Sequence, residues 1–280
     1  MQALTDNQID GWNITYIRVA DGALLRVMIS AQTSCGETMP LIMIPGLGSV
    51  PENFSLLLDD LRMHFKIFLI ETREKNSSKT GRNHQFAMQD LANDVAEIIS
   101  RILPEQSSYA VLGYSMGGAV FLEAFSKIVE KPCCAVLVSP SARFPFPSWL
   151  IPFSYIAVPL FPVVRPFLKS YIRKKHVNTE SDPEMHEIQQ RVLDAADAGK
   201  LAKTIRGIAS YNVWHTLSEI RIPVLLITAS KDTLHHHNDM HLLAEQLPQC
   251  RVVDLETNDR THGLEAAIVI RNFIGENTAG

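Results

Sequence analysis

The sequence predicts an α/β fold in which helices cover both faces of a mostly parallel sheet. Short apolar runs alternate with stretches of helical period along most of the 280 residues, and such alternation is typical of βαβ units. The runs predicted as strands are residues 41–44, 66–70, 109–112, 135–138, 224–229 and 251–255. Residues 85–103 place their apolar side chains on one helical face, as expected for a helix that packs on a sheet.

A β-hairpin is predicted near the amino terminus. Residues 14–20 and 23–30 flank Asp21-Gly22, a dipeptide that favours a tight turn between antiparallel strands. The sheet is therefore expected to begin with an antiparallel pair.

Composition excludes several classes of protein. With 46% hydrophobic and 20% charged residues, the chain is expected to form a large apolar core. The net charge of −4 does not favour nucleic acid as a partner. The four cysteines show neither metal-ligand spacing nor a disulfide framework, and no basic and apolar leader is visible, so we expect a cytoplasmic protein.

One region interrupts the alternation of strands and helices. Residues 144–164 contain no charged side chain but five prolines, too many for a transmembrane helix. We predict that residues 141–211 form a helical cap inserted between two core segments, 1–140 and 212–280. The apolar face of this cap would line a substrate pocket or, alternatively, rest weakly on a membrane surface.

The most specific motif is Gly113-Tyr114-Ser115-Met116-Gly117-Gly118. It follows a predicted strand and precedes a helix predicted over residues 116–129. A Gly-x-Ser-x-Gly turn in that context is typical of a nucleophile elbow, in which a strained turn presents the serine hydroxyl to a cleft. The alternative is a glycine-rich turn whose serine caps the helix.

A nucleophilic serine needs a base and an acid that orients the base. Asp232 follows the strand predicted over residues 224–229, and His262 lies on a loop beyond the last predicted strand. Both are therefore expected at the carboxyl edge of the sheet. Asp254 and Glu256 are alternative acids, whereas Asp239 is expected to begin a helix over residues 239–247.

The oxyanion of a tetrahedral intermediate needs two N–H donors. We predict the backbone amides of Met116, at the start of the helix, and of Leu47, in a glycine-containing loop after the strand 41–44. The residues expected to contact the substrate are Gly46, Gly48, Tyr114, Phe144, Trp149 and Phe153. Consecutive side chains diverge in direction, so the adjacent residues His235, His236 and His237 are not expected to converge on one ion, and no metal site is predicted.

These motifs together resemble the α/β-hydrolase superfamily over residues 14–274. The resemblance rests on Gly46-Leu47-Gly48, on the motif around Ser115, on Ser230-Lys231-Asp232 and on Thr261-His262-Gly263-Leu264-Glu265. It implies an eight-stranded sheet with a helical cap and acyl-enzyme chemistry that needs no cofactor. It also implies Ser115 as nucleophile, His262 as base and Asp232 as orienting acid.

Two loops depart from the superfamily pattern. Pro45 stands where many relatives have a histidine, and Glu71-Thr72-Arg73-Glu74-Lys75-Asn76-Ser77-Ser78 lacks the glycines of the usual Asp-x-Arg-Gly-x-Gly-x-Ser. Both changes are expected to reshape the rim of the pocket. Ala119 replaces an arginine found in menaquinone-pathway synthases, which argues against a carboxylate-rich substrate.

The sequence favours a serine esterase or lipase-like hydrolase that cleaves small lipophilic carboxylic esters or thioesters. A carbon–carbon bond hydrolase, a lyase or an acyltransferase on the same triad is an alternative that would need a polar anchor in the cap, such as Arg143, Arg165 or Arg206. A ligand receptor of the same fold with negligible turnover is a third hypothesis, because fold and function are separable.

Overall fold

The computed structural model describes residues 8–9, 11–31, 38–144, 146, 151–152, 154–155, 197–231 and 237–278. The described strands are β1 (Gln8–Ile9), β2 (Trp12–Arg18), β3 (Leu24–Ser30), β4 (Pro40–Ile44), β5 (Lys66–Ile70), β6 (Ala110–Tyr114), β7 (Cys134–Val138), β8 (Val224–Thr228) and β9 (Cys250–Asp254). The described helices are α1 (Ser55–Leu61), α2 (Met88–Ile102), α3 (Met116–Ala124), α4 (Ala198–Ile208), α5 (His237–Gln246), α6 (Asn258–His262) and α7 (Leu264–Glu276). Short 3₁₀ turns cover Pro51–Phe54 and Leu217–Glu219.

The strands form one sheet in the order β1-β2-β3-β5-β4-β6-β7-β8-β9. Pairing is antiparallel from β1 to β5 and parallel from β5 to β9. The predicted mostly parallel sheet is therefore confirmed, with eight main strands and a two-residue β1 at one edge. The predicted hairpin joins β2 to β3, and the Gly22 N–H donates to the Val19 carbonyl at 2.8 Å in its turn.

The inner parallel strands bury both of their faces because alternate side chains point to opposite sides of the sheet, whereas the edge strand β9 is largely exposed. In β4, Ile42 and Ile44 belong to the core shared with α2 and α3, whereas Leu41 and Met43 belong to the core shared with α1 and α7. The continuous apolar runs in the sequence follow from this double burial, and the helices form a layer on each side.

Helix α3 is shorter than predicted. It ends at Ala124 rather than at residue 129, and its end is followed by a turn in which the N–H groups of Lys127 and Ile128 both donate to the Ala124 carbonyl. The Lys131 ammonium donates to the carbonyls of Phe125 and Ile128. A cationic side chain on the last carbonyls stabilises a helix end, and this cap has no signature in the apolar periodicity.

Only part of the cap predicted over residues 141–211 belongs to the described residues. The boundaries between the cap and the two core segments stay a prediction. Helix α4 lies within it and packs closely on the residues before α2, since a Cβ at Gly207 would lie 2.2 Å from the Phe86 carbonyl oxygen. Lys203 also donates to the Arg82 carbonyl at 2.7 Å. None of the helices in the described ranges has the length and apolarity needed to cross a membrane.

The segment after β5 is buried although it is charged. Arg73, 2% exposed, donates to both carboxylate oxygens of Asp94 on α2 at 2.6 and 2.7 Å and to Asp21 in the hairpin turn at 2.9 Å. It also donates to the Gln85 carbonyl at 2.7 Å. One guanidinium thus joins three separate parts of the chain and fixes the path of the loop that follows β5.

We predict that Arg73→Met lowers the free energy of unfolding by about 3–5 kcal/mol, because it leaves the buried Asp94 carboxylate without its cation. Urea unfolding measures the difference. The matched control is Arg251→Met, which removes an exposed partner of Glu276 and should cost less than about 1 kcal/mol. Equal losses in the two variants would contradict a dominant role for Arg73.

The same variant has a predicted pH dependence. Burial raises the pKa of Asp94 to about 6, and Arg73 opposes that rise. Without Arg73 the pKa of Asp94 rises further, so the stability deficit is complete at alkaline pH, where the carboxyl is ionised. The deficit decreases as the pH falls from the raised pKa of the variant toward about 6, since a protonated Asp94 needs no cation, and it is lost below that pH. Unfolding of both proteins at pH 8 and pH 5 tests this, and a deficit that grows toward pH 5 would be inconsistent with it.

Candidate active site

Ser115 occupies a strained turn between β6 and α3. Its φ is +47° and its ψ is −115°, and a non-glycine residue held at positive φ costs of the order of 1–3 kcal/mol. Two backbone bonds hold the turn: the Ser115 N–H donates to the Val138 carbonyl at 2.9 Å, and the Ser141 N–H donates to the Ser115 carbonyl at 3.1 Å. The turn is therefore attached to the end of β7 and to the segment after it.

Two glycines allow this turn to lie against its neighbours. A Cβ at Gly117 would lie 2.1 Å from the Ile44 carbonyl oxygen, and a Cβ at Gly113 would lie 2.7 Å from the Gly118 Cα. No heavy atom tolerates such distances, which confirms that both positions lack room for a side chain. The elbow is thus pressed against the carboxyl end of β4.

The loop after β4 lies directly against the serine. A Cβ at Gly46 would lie 3.3 Å from the Ser115 Cβ, so the Gly46 backbone and the serine are in near contact. Leu47, half-buried, follows in the same loop, and Met116 is fully buried as the first residue of α3. The first N–H groups of a helix have no acceptor within that helix, which suits Met116 to donate to a ligand.

Ser141 is a site residue that the sequence analysis missed. Its hydroxyl oxygen lies 3.2 Å from the Ser115 hydroxyl oxygen, at the start of the predicted cap. Its position after a parallel strand is the only signal that could have drawn attention to it.

His262 ends the short helix α6, not a loop as the sequence suggested. Its ring stacks on Phe54 at 5.1 Å and lies 5.1 Å from the ring of Tyr114. The Tyr114 hydroxyl donates to the Thr261 carbonyl at 2.8 Å. Because Tyr114 immediately precedes Ser115, these contacts bring the histidine beside the elbow.

The hydrogen bonds of His262 select its tautomer. Its Nδ1 lies 2.9 Å from the Asn258 carbonyl oxygen and 3.0 Å from the Thr261 hydroxyl oxygen. A carbonyl oxygen only accepts, so we assign the proton to Nδ1 and the basic lone pair to Nε2. This is the tautomer that a general base for a serine requires.

The predicted acid, Asp232, lies outside the described residues, but the two alternative acids do not. Asp254 accepts from the N–H groups of Ser230 at 2.9 Å and of Glu256 at 3.0 Å. A hydrogen bond from the Ser230 side chain is the main reason why the pKa of Asp254 is lowered, and the two backbone N–H groups lower it further. Glu256 pairs with Lys231 at 2.7 Å. Both carboxylates therefore join the loops after β8 and β9 to each other, directly before residue 232.

The residues predicted to contact substrate occupy different positions. Gly46 lies against Ser115, and Gly48 lines a cavity described below. The Tyr114 side chain is buried in the core beside His262, and burial raises the pKa of its hydroxyl, which stays a neutral donor. Phe144 is also buried, 6.2 Å from the ring of Phe146 and 6.5 Å from that of Tyr211. Trp149 and Phe153 lie outside the described residues.

A cavity of about 290 Å³ adjoins the loop after β4. Its lining includes Gly48, Ser49 and Val50 from that loop and, from other segments, Arg26, Glu71, Glu74, Lys75, Asn76, Ser77 and Leu201. The side chains are mostly polar, and the two cations are matched by two carboxylates. The segment after β5 is predicted from its sequence to reshape the rim of the pocket, but nothing in that sequence indicates that its charged residues are buried.

Two further predictions concern charged residues of this region. Asp239 lies in the first turn of α5, as predicted. Its carboxylate accepts hydrogen bonds from Nε and Nη2 of Arg143 at 2.9 and 3.0 Å. Arg206 donates to the Ser154 hydroxyl at 3.0 Å, whereas Arg165 lies outside the described residues.

Within the described ranges, no group of three histidine, cysteine or acidic side chains is arranged to hold a metal.

We predict that Gly117→Ala destroys the elbow, because its Cβ would overlap the Ile44 carbonyl oxygen. Little folded protein, or folded protein with a greatly lowered melting temperature, should result. The matched control is Gly275→Ala on α7, where a Cβ meets no atom within 4 Å and should stabilise the helix by about 0.5–1 kcal/mol. A Gly117→Ala variant as stable as the wild type would contradict the close packing of the elbow on β4.

Comparisons with known proteins agree with this geometry. No curated protein sequence matches the chain significantly. Among solved structures, an enol-lactonase from Burkholderia xenovorans superposes with a TM-score of 0.76 at 17% identity, covering 95% of this chain and 100% of the other. A thermophilic esterase from Thermogutta terrifontis gives 0.75 at 16% identity, covering 94% and 98%. An esterase from Exiguobacterium antarcticum gives 0.76 at 14% identity, covering 94% and 99%. These likenesses establish the α/β-hydrolase fold.

The family model described as serine aminopeptidase, S33, matches residues 40–260. The match contains the elbow, the loop after β4 and the loop after β8, and it ends two residues before His262. The chain therefore belongs to the S33 serine aminopeptidase family of α/β-hydrolases.

Proposed function

We propose that the protein hydrolyses lipophilic carboxylic esters or thioesters through an acyl-enzyme on Ser115. The observation that carries the proposal is the strained backbone of Ser115 at a strand–helix turn, in near contact with the glycine-containing loop after β4. A fold holds a residue in such a conformation only where surrounding contacts over-determine it, and nucleophile elbows are a frequent case. Esterases and a lactonase among the structural neighbours support ester chemistry.

In the proposed reaction, His262 Nε2 removes the proton of the Ser115 hydroxyl as its oxygen attacks the carbonyl carbon. The amides of Leu47 and Met116 donate to the oxygen that becomes negatively charged. His262 then protonates the leaving alcohol or thiol, and water activated by the same nitrogen releases the acid.

Asp232 is proposed as the acid that stabilises the His262 imidazolium. Asp254 and Glu256 are engaged in joining the two adjacent loops, which supports Asp232 over these two alternative acids. Residues 230 and 231 are tied to the loop after β9 by Asp254 and Glu256, and α6 with its histidine follows that same loop. Asp232 therefore continues from a segment already linked to the base.

The proposed substrate carries an apolar acyl group, which would lie on the cap side, and a polar group, which would occupy the cavity beside Gly48. The apolar residues 144–164 of the predicted cap support the first part. The matched charges of the cavity support the second, because they favour an uncharged hydrogen-bonding group over an ion. A carbon–carbon bond hydrolase is less favoured, since Arg143, one of its candidate anchors, is paired with Asp239.

Ester hydrolysis by Ser115 variants tests the nucleophile. We expect saturable turnover of p-nitrophenyl esters with an optimum at one acyl length, and loss of at least about 10³-fold in kcat/KM for Ser115→Ala. Turnover that survives in Ser115→Ala would exclude the proposed acyl-enzyme, and a purified wild-type protein without turnover on any acyl length would favour a ligand receptor.

Asp232, after β8 in the sequence, and Asp254, the last residue of β9, form a matched pair for testing the acid. Asp232→Asn should lower kcat by about 10³–10⁴-fold with little change in KM, because an amide cannot stabilise the imidazolium. Asp254→Asn should retain most of the wild-type kcat. Steady-state kinetics of both variants separate the roles, and the opposite ranking would assign the acid to Asp254.

A further inference from the structure

The two loops that depart from the superfamily pattern meet in the structure. The Lys75 ammonium, from the segment after β5, donates to the Gly46 carbonyl at 2.5 Å. Gly46 lies in the loop after β4 and is in near contact with Ser115. A residue of one altered loop therefore binds the backbone of the other altered loop, beside the nucleophile.

This contact is buried and charged. The Lys75 side chain is 6% exposed, and its ammonium also pairs with Glu74 at 3.1 Å, whose side chain is fully buried. Glu74 accepts from the Thr72 hydroxyl at 2.8 Å as well. An ammonium in such a site interacts strongly with the dipoles around it, because little water screens its charge.

The acceptor of this bond belongs to the peptide group that contains the Leu47 N–H. The Gly46 carbonyl and the Leu47 amide form one planar unit, and in a trans peptide the C=O and N–H bonds point in opposite directions. A cation on the carbonyl therefore fixes the direction of the N–H. It also draws electron density toward the carbonyl oxygen, which makes the N–H a stronger donor.

Lys75 is itself held by the predicted cap. Lys200, on α4, donates to the Lys75 carbonyl at 2.9 Å and to the Ser78 carbonyl at 2.5 Å. The Lys75 N–H donates to the Thr72 carbonyl at 3.1 Å. The backbone of Lys75 is thus fixed from two sides, so its ammonium is presented to Gly46 by a rigid support.

We propose that Lys75 is a positioning residue for the oxyanion hole, which orients and polarises the Gly46–Leu47 peptide so that the Leu47 amide donates to the developing oxyanion. The inference rests on the proposed function, since it takes Leu47 as an oxyanion donor. It assigns to the segment 71–78 a role in transition-state stabilisation.

The test compares Lys75→Met with wild type, because methionine keeps much of the side-chain volume and removes the charge. We expect kcat/KM for the best p-nitrophenyl ester to fall about 10- to 100-fold, less than for loss of a donor itself. The Ki of a trifluoromethyl ketone, whose adduct with serine carries an oxyanion, should rise by the same factor. The Ki of the corresponding secondary alcohol, which forms no oxyanion, should not change.

Two further variants make the result unambiguous. Lys203→Met removes a lysine of α4 that donates to Arg82 and should behave as wild type. Glu74→Gln with Lys75→Met removes both charges of the buried pair, so it avoids an unpaired carboxylate and should fold while keeping the kinetic loss.

An unchanged kcat/KM in folded Lys75→Met or in the double variant would overturn the inference, as would equal changes in Ki for the ketone and the alcohol. Failure of the proposed function gives a different result, because the wild-type protein would then lack Ser115-dependent turnover altogether.

Discussion

The active site depends on the close contact between the turn after β6 and the backbone at the end of β4. Gly117 lies so near the Ile44 carbonyl that no side chain fits, and Ser115 keeps a positive φ because both of its backbone polar groups are bonded to the end of β7 and to Ser141. The two neighbouring strands β4 and β6 therefore set the distance between the nucleophile and the loop that carries Leu47. Chemistry at the serine is possible only if the sheet holds these strands in register.

Core packing and a hydrogen bond hold the base, His262, next to the turn that carries Ser115. Tyr114, next to the nucleophile, donates to the Thr261 carbonyl and contacts the His262 ring. The His262 ring also stacks on Phe54, which lies 4.7 Å from the ring of Tyr114, so the three rings form one cluster. An exposed histidine would lose this orientation, because nothing would restrict its χ angles. The role of Tyr114 is thus to link β6 to α6, and a hydrogen bond donated by a buried, neutral hydroxyl is suited to that task.

Much of the fold could be predicted from the sequence because parallel strands buried on both faces leave continuous apolar runs. The elbow could also be predicted, since its motif spans only residues 113–118, although the atom that excludes a side chain at Gly117 belongs to Ile44 on a neighbouring strand. The burial of Arg73, Glu74 and Lys75 could not, because local sequence does not distinguish a buried ion pair from an exposed charged loop. Asp94 and Gly46, which bind Arg73 and Lys75, lie more than 20 residues away in the chain. The helical position of His262 could not be predicted either, because α6 has only five residues, too few to show the periodic spacing of apolar residues that marks a helix.

The most direct test of an activated nucleophile is intact-protein mass spectrometry after treatment with a fluorophosphonate, with peptide mapping of the product. The structure predicts a single adduct, located on Ser115, that forms with the folded protein and not after denaturation. No adduct on the folded protein, or an adduct on another serine such as Ser141, would contradict the assignment of Ser115 as the nucleophile.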